Sequence, residues 1–232
     1  MYDIIFISYQ EPNADENFAK LKARFPRAQR VHGVKGIHQA HIAAAKKSFT
    51  KLFWVVDGDA EIVDTFNFDY VADAWSQECV HVWRSINPVN GLQYGYGGIK
   101  LLPKHLTQNM DLSKPDMTTS ISSLFKAMPE VSNITAFNTD PFNTWKSAFR
   151  ECCKLASRTI DRQDDTETQQ RLDAWCTLNE SVPYGFHSYL GAQNGKYYGE
   201  NNQDNPTGLK LINDFDWLES EFNRIKDQLS GR

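Results

Sequence analysis

The chain opens on Asp3-Ile4-Ile5-Phe6-Ile7-Ser8, an unbroken apolar run between polar ends. It is too short for a helix and rich in β-branched residues, the pattern of a strand buried on both faces in a parallel sheet. Residues 8–15 follow as a loop, with Pro12, Asn13 and Asp15 supplying turn chemistry. Residues 16–25 then place Phe18, Leu21 and Phe25 on one helical side, and Pro26 stops the helix. Gln29-Arg30-Val31-His32 reads as a short strand, residues 37–49 as an Ala-rich helix, and residues 51–56 as another buried strand ended by Asp57-Gly58-Asp59. Strand, helix, strand, helix, strand is the rhythm of a doubly wound α/β sheet.

The pattern then changes. Val80-His81-Val82-Trp83-Arg84 and Gly98-Ile99-Lys100-Leu101-Leu102 read as strands around a Gly- and Tyr-rich connection, Asn90 to Gly98. Residues 106–126 read as polar loop with weak helical sections, and residues 131–137 as a further strand. Asp140-Pro141 marks a helix start, with Asp at the N-cap and Pro in the first turn, and Phe142, Trp145, Phe149 and Cys153 give it an apolar side. Residues 166–178 read as helix, residues 184–205 as a Gly/Asn/Tyr-rich loop, residues 209–212 as a closing element and residues 217–225 as a terminal helix. The expected organisation is a single domain of 232 residues, with one half over 1–105 and a second over 106–232.

Composition narrows the class. At 41% hydrophobic and 23% charged residues the chain is globular rather than disordered or fibrous. Its longest purely apolar run, Leu52 to Val56, is far short of a membrane span. Met1-Tyr2-Asp3 puts an acid where a secretory leader carries Lys or Arg, and the four cysteines show no metal-finger or CxxC spacing. A cytoplasmic protein with reduced thiols and no membrane partner is the expectation. The net charge of −4 argues against a protein that coats nucleic acid. Yet between Asn17 and Val56 there are nine Lys or Arg residues and no acid. That stretch is either a basic face for a phosphate backbone or a solvated surface balanced by the acids of residues 161–173.

The strand running into Asp57-Gly58-Asp59 carries the main chemical signal. It delivers two carboxylates, at i and i+2, to its carboxyl end, the edge where open α/β sheets bind ligands. Two aspartates astride a glycine can hold one hard divalent cation, Mg²⁺ or Mn²⁺, and Gly58 would let a diphosphate approach the backbone. The alternative is an ordinary strand-end turn. Asp214-Phe215-Asp216 is an internal control: no strand precedes it, and capping a helix at Trp217 explains it.

A first strand ending in Ser8-Tyr9, then Gly36 and an Ala-rich helix, then an apolar strand into Asp57-Gly58-Asp59 resembles the GT-A glycosyltransferases over roughly residues 1–65. Phe137-Asn138-Thr139-Asp140-Pro141-Phe142-Asn143-Thr144-Trp145 and Ile212-Asn213-Asp214-Phe215-Asp216-Trp217-Leu218 are similar to small glycosyltransferases of T-even-like bacteriophages, whose relatives modify 5-hydroxymethylcytosine in DNA. The resemblance implies a GT-A-like (Rossmann-like) mixed sheet with helices on both faces. It makes Asp57 and Asp59 the metal carboxylates, places Ser8 and Tyr9 against the nucleoside, and puts Lys35 and Gly36 at the base or diphosphate. It implies His187, late in the chain, as a third metal ligand; the alternative is a loop histidine bonded to backbone. His32, His38 and His41 are earlier candidates that read better as surface or interface histidines. It implies Asp140, at a helix start, as the base that deprotonates an acceptor hydroxyl, with Glu151 as runner-up and an ordinary N-cap as the alternative. Tyr94-Gly95-Tyr96-Gly97-Gly98 would floor the sugar site, Gly97 and Gly98 matching a glycine pair of that family, or else form a bulged hairpin.

The expected function is therefore a Mn²⁺- or Mg²⁺-dependent transfer of a sugar, arabinose or glucose among the candidates, from a UDP-sugar to a hydroxyl, preferably of 5-hydroxymethylcytosine in phage DNA. Competing readings are a transferase for a small molecule or glycan, a nucleotidyltransferase, and a DNA-binding accessory protein. Ser8-Tyr9-Gln10-Glu11-Pro12 lacks the glycines of a phosphate loop, which counts against the nucleotidyltransferase. The accessory protein lacks a DNA-binding motif.

Overall fold

A computed structural model of the protein describes residues 1–95, 98–114, 116–159 and 164–230. The elements are β1 (Asp3–Ser8), α1 (Ala14–Arg24), β2 (Gln29–His32), α2 (Ile37–Lys47), β3 (Leu52–Asp57), β4 (Ala60–Ile62), β5 (Val80–Ile86), β6 (Gln93–Tyr94), β7 (Ile99–Pro103), α3 (Lys104–Gln108), α4 (Met117–Ile121), β8 (Phe125–Thr135), α5 (Pro141–Ser157), α6 (Asp165–Trp175), α7 (Gly185–Glu200), α8 (Pro206–Lys210) and α9 (Phe215–Ser230). They form two compact units whose main boundary falls after Ala136, where the halves read from the sequence divide after residue 105. No helix among the described residues is long and apolar enough to cross a membrane.

The first unit is an α/β layer around a mixed sheet ordered β2-β1-β3-β7-β5-β8-β4, with β6 beside β5. β1 is parallel to both β2 and β3, whereas β7 runs antiparallel to β3 and to β5. The apolar runs alternate faces as the pleat requires. Phe6, Trp54, Val56 and Leu101 pack with Leu21 of α1, while Ile5, Ile7, Phe53 and Val55 pack with Ala40, Ala44 and Ala45 of α2. Helices thus cover both faces, as the sequence pattern implies. Strands β1 and β3 read as unbroken apolar runs because they are buried on both faces.

The second unit is helical, and here the sequence reading of residues 184–205 as a loop is overturned. Residues 185–200 form α7, which runs alongside α5 in the same direction. Its glycines recur every four residues, so they fall on one helix face: Gly191 against the Trp145 carbonyl, Gly195 against the Phe149 carbonyl, Gly199 against the Cys153 carbonyl. A Cβ at Gly199 would sit 2.5 Å from the Cys153 oxygen. Trp145 Nε1 donates to Asn194 Oδ1 at 3.1 Å across the same pair. Packing that admits only hydrogen at three positions outweighs the low helix propensity of glycine. The closing element expected over residues 209–212 is likewise helical, α8 followed by a 3-10 turn at Leu211–Asn213.

Candidate active site at the strand ends

β1 is followed by a crossover to β2 on one side, and β3 lies on its other side. The β1/β3 boundary is therefore a topological switch point, where open sheets of this kind bind ligands beyond the carboxyl ends of the strands. Ile7 pairs with Asp57 in the register, so Ser8-Tyr9 and Asp57-Gly58-Asp59 leave the sheet side by side. The structure brings these two sequence motifs together.

Asp57 shares the pleat with Val55, on the face covered by α2. Lys100 of β7, opposite Val55, lies on that face too. Its ammonium donates to Asp57 Oδ1 at 2.8 Å and Oδ2 at 2.7 Å. The lysine side chain is 2% exposed and that of Asp57 34%. Asp59 has the opposite surroundings. Burial, then the Asp57 and Glu11 carboxylates, push its pKa up to about 7, against the pull of Lys100. Glu11 closes the group from the loop after β1, where its Oε2 accepts the Tyr9 amide at 2.8 Å.

The space beside Gly58 is taken up by protein side chains. A Cβ would come within 2.6 Å of Glu11 Oε2 and 3.1 Å of Ser8 Cβ, so protein rather than ligand fills the space it leaves. Asn17 of α1 fixes the turn by donating to the Gly58 carbonyl at 3.0 Å.

Ser8 is buried, with its hydroxyl committed. Arg30 Nε donates to Ser8 Oγ at 2.8 Å, and Ser8 Oγ lies 2.9 Å from His32 Nδ1. Arg30 also reaches that Nδ1, at 3.3 Å, and a guanidinium only donates. Nδ1 is therefore an acceptor, and Ser8 donates to it. Tyr9 is half-buried where the chain leaves β1. Lys35 is exposed, and Gly36 adopts φ 94° as the residue preceding α2 at this same edge. Gly98 accepts the Asp57 amide at 2.9 Å, and the Asn133 side chain occupies the place of a Cβ there. Gly97 lies outside the described residues, as does Tyr96.

The remaining candidates belong to the second unit. Asp140 caps α5: Oδ1 accepts the Asn143 amide at 2.8 Å, and Oδ2 accepts Asn143 Nδ2 at 2.5 Å and Thr139 Oγ1 at 3.3 Å. Both oxygens are committed to the cap. Glu151 is buried on α5 and pairs with Lys154 at 3.3 Å. His187 stands in the first turn of α7 rather than on a loop, its ring among Tyr184, Phe186 and Phe222. Burial lowers its pKa. Asp214 Oδ1 accepts the amides of Asp216 and Trp217, so this second Asp-x-Asp caps α9 as its sequence context indicates.

The basic stretch does not form one face beside Asp57. Lys20 pairs with Glu16, Lys22 donates to the Ala28 carbonyl, and Arg24 holds the carbonyls of Val63, Asp64 and Phe66. Lys46 and Lys47 end α2, and Lys51 precedes β3 at the amino edge of the sheet. At about 3.3 Å per strand residue, that edge is roughly 20 Å from Asp57.

Sequence reasoning missed Lys100 and Glu11. Lys100 left one trace, a lysine inside the apolar run Ile99 to Leu102. Glu11 left none, because its place follows from the course of the loop.

Lys100 pairs with Asp57, while burial and then the Asp57 and Glu11 carboxylates push the Asp59 pKa up to about 7. Hard oxygen donors with surplus negative charge suit Mg²⁺ or Mn²⁺, which commonly take one or two carboxylates and complete their shell with water and phosphate. Among the described residues no three His, Cys, Asp or Glu side chains are arranged as a ready-made metal site. The donor chemistry fits; the protein donors in place are the two aspartates. No protein-family model and no curated protein matches this chain.

Proposed function

We propose that this protein is a metal-dependent glycosyltransferase of the GT-A type that moves a sugar from a UDP-sugar to a hydroxyl acceptor. The observation that carries the reading is the meeting, at the β1/β3 switch point, of Asp57-Gly58-Asp59 with Ser8-Tyr9. Asp57 and Asp59 would hold the cation, which supplies Lewis acidity against the charge that develops on the departing diphosphate. Tyr9 would stack on the base, and Lys35 and the start of α2 would face the diphosphate. Arg30, through Ser8, keeps the end of β1 fixed beneath the nucleoside.

The acceptor implied by the resemblance is 5-hydroxymethylcytosine in DNA. The position of Lys46, Lys47 and Lys51 at the far edge of the sheet favours a second reading, a small-molecule or glycan acceptor, because those cations are remote from Asp57. One experiment addresses both. The protein is incubated with Mn²⁺, a panel of UDP-sugars, and either hydroxymethylated DNA, the free hydroxymethylated nucleoside or a glycan panel, and the products are weighed. Transfer to DNA alone supports the first acceptor, and transfer to nucleoside or glycan the second. Absence of any UDP-sugar turnover, together with no stabilisation by UDP plus Mn²⁺, overturns the function.

A further inference from the structure

Lys100 occupies a position where the packing calls for an apolar side chain. It lies between Val55 and Val82 on the face covered by α2, and it is 2% exposed. An ammonium so buried needs an acceptor wherever it goes. Asp57 provides one, with both oxygens. A divalent cation bound at Asp57 would bring two positive charges against this ammonium, which must then be seated elsewhere in the same buried space.

His41 offers that seat. It lies on α2, 2% exposed, and its Nδ1 is 2.8 Å from the Ile37 carbonyl. A carbonyl accepts only, so Nδ1 carries the proton and Nε2 presents a lone pair. That Nε2 is buried without a hydrogen-bond partner, a costly state for a polar atom. The ring is an electrostatic neighbour of Lys100: after burial itself, the Lys100 charge is the largest influence that disfavours a protonated imidazole.

We propose that Lys100 is a tethered cation with two seats, competing with a divalent cation for Asp57 and transferring its hydrogen bond to His41 Nε2 when that cation binds. The inference rests on the reading of Asp57 and Asp59 as the cation's ligands. It makes two residues that touch no substrate into determinants of metal affinity, with opposite signs. Lys100 weakens cation binding by occupying the carboxylate, and His41 lessens that penalty by receiving the displaced ammonium.

The test uses the full chain without nucleotide, with bound Mn²⁺ read from the loss of the free-ion EPR signal and folding checked by circular dichroism. Lys100→Met is expected to tighten Mn²⁺ binding ten-fold or more. His41→Phe is expected to weaken it five-fold or more, and His41→Gln, which keeps an acceptor, to restore most of the loss. In a Lys100→Met background His41→Phe should have no effect, since no ammonium then needs a seat. Where Lys100→Met does not fold, Lys100→Gln keeps a neutral donor to Asp57 and makes the same comparison. Wild-type Mn²⁺ binding that Lys100→Met leaves unchanged or weakens overturns the two-seat proposal alone. So does a His41→Phe loss that persists in the Lys100→Met background. If neither wild type nor Lys100→Met binds Mn²⁺, with UDP or without, the cation reading of the aspartates falls and the proposal with it.

Discussion

Asp57 and Asp59 leave the same strand two residues apart yet sit in opposite electrostatic situations. Asp57 accepts from the buried Lys100 ammonium with both oxygens, whereas burial and then the carboxylates of Asp57 and Glu11 push Asp59 up to about 7. Replacing each by its amide should therefore separate them. Asp57→Asn removes the carboxylate that accepts from Lys100 with both oxygens, and with Asp57 one-third exposed a loss of about 1–3 kcal/mol is expected. Asp59→Asn removes like-charge repulsion and should raise stability at neutral pH without metal. Both should abolish the stabilisation that UDP and Mn²⁺ give together. Urea unfolding with and without chelator checks the signs. Equal destabilisation by the two amides would show that the contrast between the carboxylates is wrong.

The pH dependence follows from Asp59 and His41, which pull against each other. Asp59 has a raised folded pKa, so its contribution is full below the ordinary carboxylate value of 3.8 and is lost as pH rises toward about 7. His41 has its pKa lowered to about 3 by burial and by Lys100, so its contribution is full above 6.5 and is lost as pH falls toward about 3. In chelator, the stability difference between Asp59→Asn and wild type should grow as pH rises across that window. The difference between His41→Gln and wild type should grow in favour of the variant as pH falls. Unfolding series at several pH values between 4 and 7.5 give both slopes, and a pH-independent difference for either variant would reject its assignment.

The legible parts of the chain were those where local chemistry and tertiary context agree. β1 and β3 are apolar throughout because both faces are buried, and the Asp140-Pro141 signal at α5 is a complete cap. The aspartates could be placed because a strand fixes where its end points. Three features could not be read. Lys100 is buried by pairing with a residue 43 positions away, which no local pattern encodes. The basic stretch is continuous in sequence, but α2 and β3 carry its last lysines to the far edge of the sheet. In α7, glycine and asparagine signal a loop locally, and only the neighbouring helix explains them.

That helix pair gives a prediction of its own. Gly195→Ala places a methyl group against the Phe149 carbonyl, where the backbones cannot separate without disturbing Gly191 and Gly199 at the same seam. A loss of about 2–3 kcal/mol is expected, well above the usual gain from alanine in a helix. Gly33 has nothing within 4 Å of its Cβ position and φ 74°, so Gly33→Ala controls for backbone strain without overlap. Denaturant midpoints compare the two variants. A stabilised Gly195→Ala would mean that the helices lie further apart than the seam indicates.

The last prediction concerns Lys46 and Lys47. Both are exposed in the final turn of α2, where they also complement the helix dipole. The amino edge they occupy is about 20 Å from Asp57 along β3, beyond about two Debye lengths at physiological ionic strength. Reversing both to Glu should therefore leave UDP–Mn²⁺ affinity and hydrolysis of the UDP-sugar within about two-fold of wild type. The KM for a hydroxymethylated nucleoside should be unchanged as well. If DNA is the acceptor and its backbone wraps past the far edge, the KM for long duplex alone should rise, and its salt dependence should flatten by roughly one log unit per log of salt for each phosphate no longer neutralised. Steady-state kinetics with nucleoside, short and long DNA at two salt concentrations separates these cases. A changed nucleoside KM would place the two lysines at the acceptor site and contradict the strand topology that puts them at the opposite edge.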